Sequence, residues 1–202
     1  MTVSTQAIPT RDLSVSHGSN FPAMLILVGG LPGAGKTYFA LQLSERLGAT
    51  YISSDLMRKQ MEAQGRYAFE DKLNVYEYMA SRAANALRQK NPVVVDATFY
   101  CKQMRQMFFT LAKLMHLKYV LIEIVADESV IQKRLGSTTA PRAANLSVYH
   151  LVKSKYEQPD VVHLVIKSKE NNIEEMVRAA MQYISRPNES RGIACNTNQG
   201  RR

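Results

Sequence analysis

Cysteine is scarce: Cys101 and Cys195 are the only two among 202 residues. Two thiols are too few for a disulfide framework or a zinc site, and both are expected to be reduced. Long hydrophobic runs are absent as well. The longest, Ala23–Val28 extended by Gly29 and Gly30, falls far short of the roughly 20 residues that a bilayer-spanning helix needs, so no membrane partner is expected. The first 20 residues lack a basic start followed by an apolar block, which excludes a recognisable export signal and makes the cytoplasm the expected compartment. No internal repeat is present. Acid is in short supply, with 17 Asp and Glu against 26 Lys and Arg for a net charge of +9. Such a balance favours an anionic partner, or else a generally basic surface, and the placement of the charge has to decide between them.

The length suits one domain with short extensions. Residues 1–22 carry one acid, one base and no periodicity, and read as a flexible lead-in. Residues 186–202 carry four arginines, one glutamate and no apolar repeat, and read as a disordered basic tail of net +3, leaving +6 on the core. Between them, short apolar runs at Ala23–Val28, Thr50–Ser53, Pro92–Val95, Tyr119–Ala126 and Val161–Ile166 read as strands buried on both faces. They alternate with helical stripes. One comprises Met104, Met107, Phe108, Leu111, Leu114 and Met115; another comprises Ile173, Met176, Val177, Ala180, Met181 and Ile184, with Asn172 and Glu175 placed as a capping box. This alternation predicts an α/β fold in which helices cover both faces of a parallel sheet and ligands bind beyond the carboxyl ends of the strands.

After the first strand, Gly30-Leu31-Pro32-Gly33-Ala34-Gly35-Lys36-Thr37 matches G-x-x-x-x-G-K-[ST] and leads into a helix with Phe39, Leu43 and Leu47 on one face. In this phosphate-binding loop the glycines let successive N–H groups point at phosphate oxygens, and the helix N-terminus adds its dipole. Lys36 is placed for the β- and γ-phosphates of a nucleotide and Thr37 for Mg²⁺, with Tyr38 next to them. No Asp is followed by Gly three residues on, and no Asn-Lys-x-Asp occurs. A GTPase is thereby excluded, the length excludes a ring ATPase, and a compact kinase remains.

Three further segments supply candidates. Asp55 and Arg58 follow the second strand; they suit a general base and an anion-holding arginine, or an N-cap and an ordinary helix residue. Asp96 ends the third strand and suits either the Mg²⁺ shell or a turn cap, followed by Thr98, by Phe99 and Tyr100 as pocket wall or core, and by Arg105 as a substrate contact or a solvated residue. Residues 130–156 hold Lys133, Arg134, Arg142, Lys153 and Lys155 and no acid, as a phosphate-covering lid would, or as a charge run compensated by Asp127, Glu128, Glu157 and Asp160 would. His17, His116, His150 and His163 show no ligand spacing, so the only metal expected is Mg²⁺ carried with nucleotide.

Taken together, GLPGAGKT, SSDLMR, VVVDATF with Arg105 nine residues after Asp96, QKRL and NLSVYHLVKSKYEQP resemble the AAA-33-type P-loop kinases. That group is similar to the kinase domain of phage-type polynucleotide 5′-hydroxyl kinases and related to zeta-toxin and chloramphenicol-phosphotransferase families. The resemblance covers about residues 23–185 and implies a three-layer P-loop kinase with a five-stranded sheet in the order 2-3-1-4-5, a basic lid, and ATP as donor. It implies Asp55 as the base that activates the acceptor hydroxyl, Arg58, Thr98 and Arg105 as acceptor contacts, Asp96 at the Mg²⁺ and substrate site, and Arg134 and Arg142 as lid arginines. Where members often have Asn after D-A-T, this chain has Phe99, which leans toward a small acceptor. No phosphatase domain follows, so an end-healing enzyme with both activities is not expected. The expected function is transfer of the γ-phosphoryl group of ATP to a hydroxyl of a polynucleotide 5′ end, nucleoside, sugar or antibiotic, by a monomer or weak oligomer. The alternative is a nucleotide-controlled nucleic-acid-binding protein with weak ATPase activity.

Overall fold

A strand that is apolar at consecutive positions buries both of its faces only when helices cover the sheet on each side. That arrangement is present in the computed structural model, which describes residues 21–63, 68–136 and 146–186. The chain runs β1 (Met24–Gly29), α1 (Lys36–Leu47), β2 (Thr50–Ser53), α2 (Ser54–Gln60), α3 (Phe69–Arg88), β3 (Val93–Asp96) and α4 (Lys102–Leu114). It continues through β4 (Lys118–Val125), α5 (Glu128–Gly136), α6 (Leu146–Ser154), β5 (Leu164–Lys167) and α7 (Ile173–Ser185). Apart from residues 21, 22 and 186, the expected lead-in and tail lie outside the described residues, as does Arg142.

The five strands are parallel and ordered β2-β3-β1-β4-β5. Alternation divides the core in two. Leu25, Leu27, Val93, Val95 and Leu121 pack with Val75 and Met79 of α3 and Met104 and Phe108 of α4. Ile26, Val28, Val94, Ile122 and Ile124 pack with Phe39 and Leu43 of α1 and Val177, Ala180 and Ile184 of α7. Each such side chain, fully removed from water, contributes about 1.5–3 kcal/mol, so β1, buried at all six positions, anchors the sheet.

Two local expectations are corrected. On α4 the buried stripe is Met104, Arg105, Phe108, Phe109 and Ala112, while Leu114 is 75% exposed. Met107, Leu111 and Met115 still pack against the core as expected, so the correction is confined to Leu114, which faces solvent, and Arg105, which is drawn inward. At α7 the capping box does not form: Asn172 Oδ1 instead accepts from Lys169 N, and Nδ2 donates to Lys167 O. The side chain thus closes the turn after β5, and the helix N-terminus takes no side-chain cap.

Pairing register brings the site together. Val28 of β1 and Ser53 of β2 both lie opposite Asp96 of β3, so the loops after these three strands leave the sheet at one level.

Candidate phosphate-binding and transfer site

Gly30, Gly33 and Gly35 have φ of 134°, 79° and 98°, conformations that L side chains rarely adopt. Gly30 N donates to Thr98 O at 3.3 Å, extending the β1–β3 ladder into the loop. A Cβ at Gly30 would stand 2.2 Å from Ile124 O, a backbone atom of β4. Gly30→Ala is therefore expected to destabilise the fold by about 3 kcal/mol through strain and clash, read as a lowered midpoint in chemical denaturation. An unchanged midpoint would show that the loop can move away from β4. At the other end, Gly35 caps α1 in the left-handed conformation, with no side-chain cap and no acid in the first turn, leaving that helix terminus suited to an anion.

Behind the loop, Lys36 Nζ donates to Leu31 O at 2.9 Å. Thr37 Oγ1 donates to Asp96 Oδ2 at 2.8 Å, and the Tyr51 hydroxyl donates to the same oxygen at 2.9 Å. Tyr51, on β2, carries no motif that marks it, and only the β2–β3 register brings it here. Burial, reinforced by the Asp96 charge, holds its phenol protonated far above the usual value, which makes it a fixed donor. Burial lowers the Lys36 ammonium, opposed by the charges of Asp96 and Asp55. Asp55, exposed in the first turn of α2, is the smaller of the two charges that oppose this lowering. It is not the cap of its helix; that residue is Ser53, whose Oγ accepts from Asp55 N.

Burial also pushes the Asp96 carboxyl above the ordinary carboxylate range, against Lys36 and the hydrogen bonds from Thr37 and Tyr51. A carboxyl that holds its proton more tightly when folded contributes stability that is complete below the ordinary carboxylate range and is lost as pH rises through the raised value. Melts of nucleotide-free protein between about pH 4 and pH 8 should show this decline in the wild type and a weaker one in Asp96→Asn. Equal slopes would assign the decline to other groups.

Across the loop, Arg134 from α5 reaches the carbonyls of Gly33 and Ala34 at 3.4 and 3.2 Å and the Ser168 hydroxyl at 3.2 Å. Together with Gly35, Tyr38, Ser168, Lys169 and Asn172 it borders a cleft of about 460 Å³. Ser168 and Lys169, in the loop after β5, belong to no motif and are found only through the fold. The charge run resolves into parts. Lys133 pairs with Glu170 at 2.8 Å and Lys153 with Glu128 at 2.9 Å, both exposed, while Arg134 leans over the phosphate loop.

On the other side of Asp96, Arg58 is 9% exposed. Thr98 Oγ1 lies 3.5 Å from the Tyr76 hydroxyl of α3, which also accepts from Phe99 N at 3.2 Å. Phe99 packs edge-on against Tyr76 and Phe108 and is 1% exposed, so its ring is core, and its presence after Thr98 does not bear on the size of the acceptor. Arg105 is buried and not solvated. It is 1% exposed and donates to Phe99 O at 2.8 Å, Glu157 O at 2.9 Å and Gln158 O at 3.2 Å. Three carbonyls accept from its terminal nitrogens and tie the segment after α6 to the β3–α4 loop, while its buried Nε has no hydrogen-bond partner among the described residues.

The oxygens of Thr37 and Asp96 beside the loop suit a small hard cation that brings phosphate oxygens and water with it. Among the described residues, no three His, Cys, Asp or Glu side chains gather into a metal cage, and no helix is long and apolar enough to cross a membrane.

Known proteins share this fold. The Mycobacterium tuberculosis APS kinase in complex with AMPPNP and APS superposes with a TM-score of 0.67 at 14% identity, over 82% of this chain and 99% of that one. A Sinorhizobium meliloti gluconokinase gives 0.61 at 19%, over 82% and 99%. Chaetomium thermophilum Kti12 in complex with ADP-AlF3 gives 0.61 at 21%, over 80% and 100%. In sequence, an uncharacterized protein of Mycobacterium tuberculosis is 27% identical over 135 residues, covering 61% of this chain. The chain spans about a quarter of the length of the curated relatives it matches. The pattern of the AAA-33 family, described as an AAA domain, matches residues 25–159, about two thirds of the chain. With its phosphate loop and parallel sheet of order 2-3-1-4-5, the chain belongs to the AAA-33 family of P-loop proteins.

Proposed function

We propose that this protein is an ATP-dependent kinase that transfers the γ-phosphoryl group to an alcohol hydroxyl. The observation that carries the reading is the meeting of three loops at one level. The Thr37–Asp96 pair closes the base of the phosphate loop, and Asp55 starts the helix that follows the neighbouring strand, where its charge acts on Lys36. Bound Mg²⁺ would supply charge neutralisation between the β- and γ-oxygens, held at Thr37 and Asp96.

In this reading the loop N–H groups and α1 bind the phosphates, and the nucleoside side occupies the cleft bordered by Arg134, Tyr38 and Ser168. Residues 23–185 form the catalytic domain and 130–156 its lid, which excludes water from the transfer. Asp55 accepts the proton of the acceptor hydroxyl as that oxygen bonds to the γ-phosphorus and the bond to the leaving β-oxygen breaks. Lys36 and Arg134 neutralise charge that builds on the transferred group and the leaving oxygens. A cation that burial disfavours is well prepared for this task, because an arriving phosphate restores the counter-charge that water no longer provides.

The test is transfer of radiolabelled γ-phosphate from ATP across 5′-hydroxyl oligonucleotides, nucleosides, sugars and aminoglycosides. Labelled product from at least one class is expected. Tight ATP binding with no transfer to any class would overturn the kinase reading in favour of a nucleotide switch.

A further inference from the structure

Asp96 closes β3 at 3% exposure, and two hydroxyls from different elements grip it by a single oxygen. Thr37 Oγ1, in the first turn of α1, donates to Oδ2 at 2.8 Å, and Tyr51 Oη, from β2, donates to the same atom at 2.9 Å. No hydrogen bond to Oδ1 is formed among the described residues. Nor is Oδ1 sealed from solvent, because among the described residues the one sealed side-chain atom without a hydrogen bond is Arg105 Nε. Tyr51 reaches the carboxylate through strand register. It lies opposite Val94, and Ser53 lies opposite Asp96. Side chains two residues apart share a face of the sheet and stand about 7 Å apart along the strand. A phenol spans that gap, and its ring packs against the half of the core covered by α1 and α7.

A carboxylate held on one oxygen from two directions resists rotation about its Cβ–Cγ bond, so its other oxygen keeps one position. The two donors differ in what else is asked of them. Thr37 belongs to the phosphate loop and shares its hydroxyl between Asp96 and any cation bound there, whereas Tyr51 grips Asp96 from a strand outside that loop. We propose that Tyr51 is a positioning residue whose hydroxyl fixes Oδ2 of Asp96 and thereby presents Oδ1 to Mg²⁺ or to a water of its shell. This rests on the reading above that Thr37 and Asp96 hold the ion for phosphoryl transfer, and it adds to that site a residue that no motif marks.

Two measurements test this and separate it from the kinase reading. Both use Tyr51→Phe in the full chain, which removes the hydroxyl and keeps the ring in the core, with the denaturation midpoint as a check on folding. The first needs no catalysis: AMPPNP binding is followed by isothermal titration in EDTA and across a Mg²⁺ series. Wild type is expected to bind more tightly with Mg²⁺. Tyr51→Phe should need about ten-fold more Mg²⁺ to reach half of that gain, while matching wild type in EDTA. An unchanged Mg²⁺ requirement overturns the positioning role. So do equal losses with and without Mg²⁺, which a general loosening of the site would produce. The second measurement is transfer to whichever acceptor class the γ-phosphate screen identifies. At limiting Mg²⁺, Tyr51→Phe should lower kcat about ten-fold with KM for the acceptor unchanged, and added Mg²⁺ should recover most of the loss. A kcat loss that no Mg²⁺ concentration recovers overturns the proposal. Transfer by wild type and variant with the same Mg²⁺ dependence overturns it too and leaves the kinase standing. No transfer by wild type to any class, with the Mg²⁺ shift of Tyr51→Phe intact in the binding experiment, overturns the kinase reading and leaves the role of Tyr51.

Discussion

Lys36→Ala is expected to lower phosphoryl transfer from ATP by about a thousand-fold or more, since it removes a cation aimed at the charge that develops on the transferred group. It is also expected to weaken ATP binding, which isothermal titration would read directly. The fold should survive. Lys36 donates to Leu31 O within its own loop, and burial already disfavours its charge. Circular dichroism and the denaturation midpoint should therefore stay close to wild type while activity is lost. If Lys36→Ala retained turnover, the phosphate loop would not be where the γ-phosphoryl group is held, and the proposed activity would fall with it.

Asp55→Asn should act on a different quantity. Removing the proton acceptor is expected to lower kcat by about 10²–10⁴-fold, whereas KM for the acceptor and the affinity for ATP should change little. Asn keeps the size of the side chain and the Ser53 cap on the backbone N–H, so the helix start is preserved. Asp55 is exposed and sits at the N-terminal turn of α2. Turnover left intact at saturating acceptor would sink the general-base assignment, and the proton would then have to leave by water.

Much of this architecture is legible in the residues because the signals are local. Buried parallel strands read as short apolar runs, and β2 is bounded at Thr50–Ser53 by sequence and structure alike. The phosphate loop is legible because its glycines must adopt backbone conformations that few other residues tolerate. The order of the strands came from resemblance and not from periodicity, since alternation fixes a parallel sheet without saying which strand lies beside which. The stripe on α4 shows where local pattern misleads: apolar spacing places Leu114 on the buried face, yet Arg105 occupies that face and Leu114 is exposed. A residue type that is usually solvated is buried here because carbonyls of Glu157 and Gln158, more than 50 positions away, reach its guanidinium. In the same way, Tyr51 gains its place at Asp96 through a strand pairing, and α3, which brings Tyr76 to the site, carries no motif.

Sequence by itself determined the class of fold, the phosphate loop with Lys36 and Thr37, and the acidic residues that end or follow the second and third strands, all of which depend on neighbours within a few positions. Tertiary structure decided the rest: that Thr37 and Tyr51 both bond Asp96, that Arg134 lies over the loop, and that Arg105 is a strut between segments. Each joins residues from separate elements, and only the packing of helices on the sheet sets the distances between them.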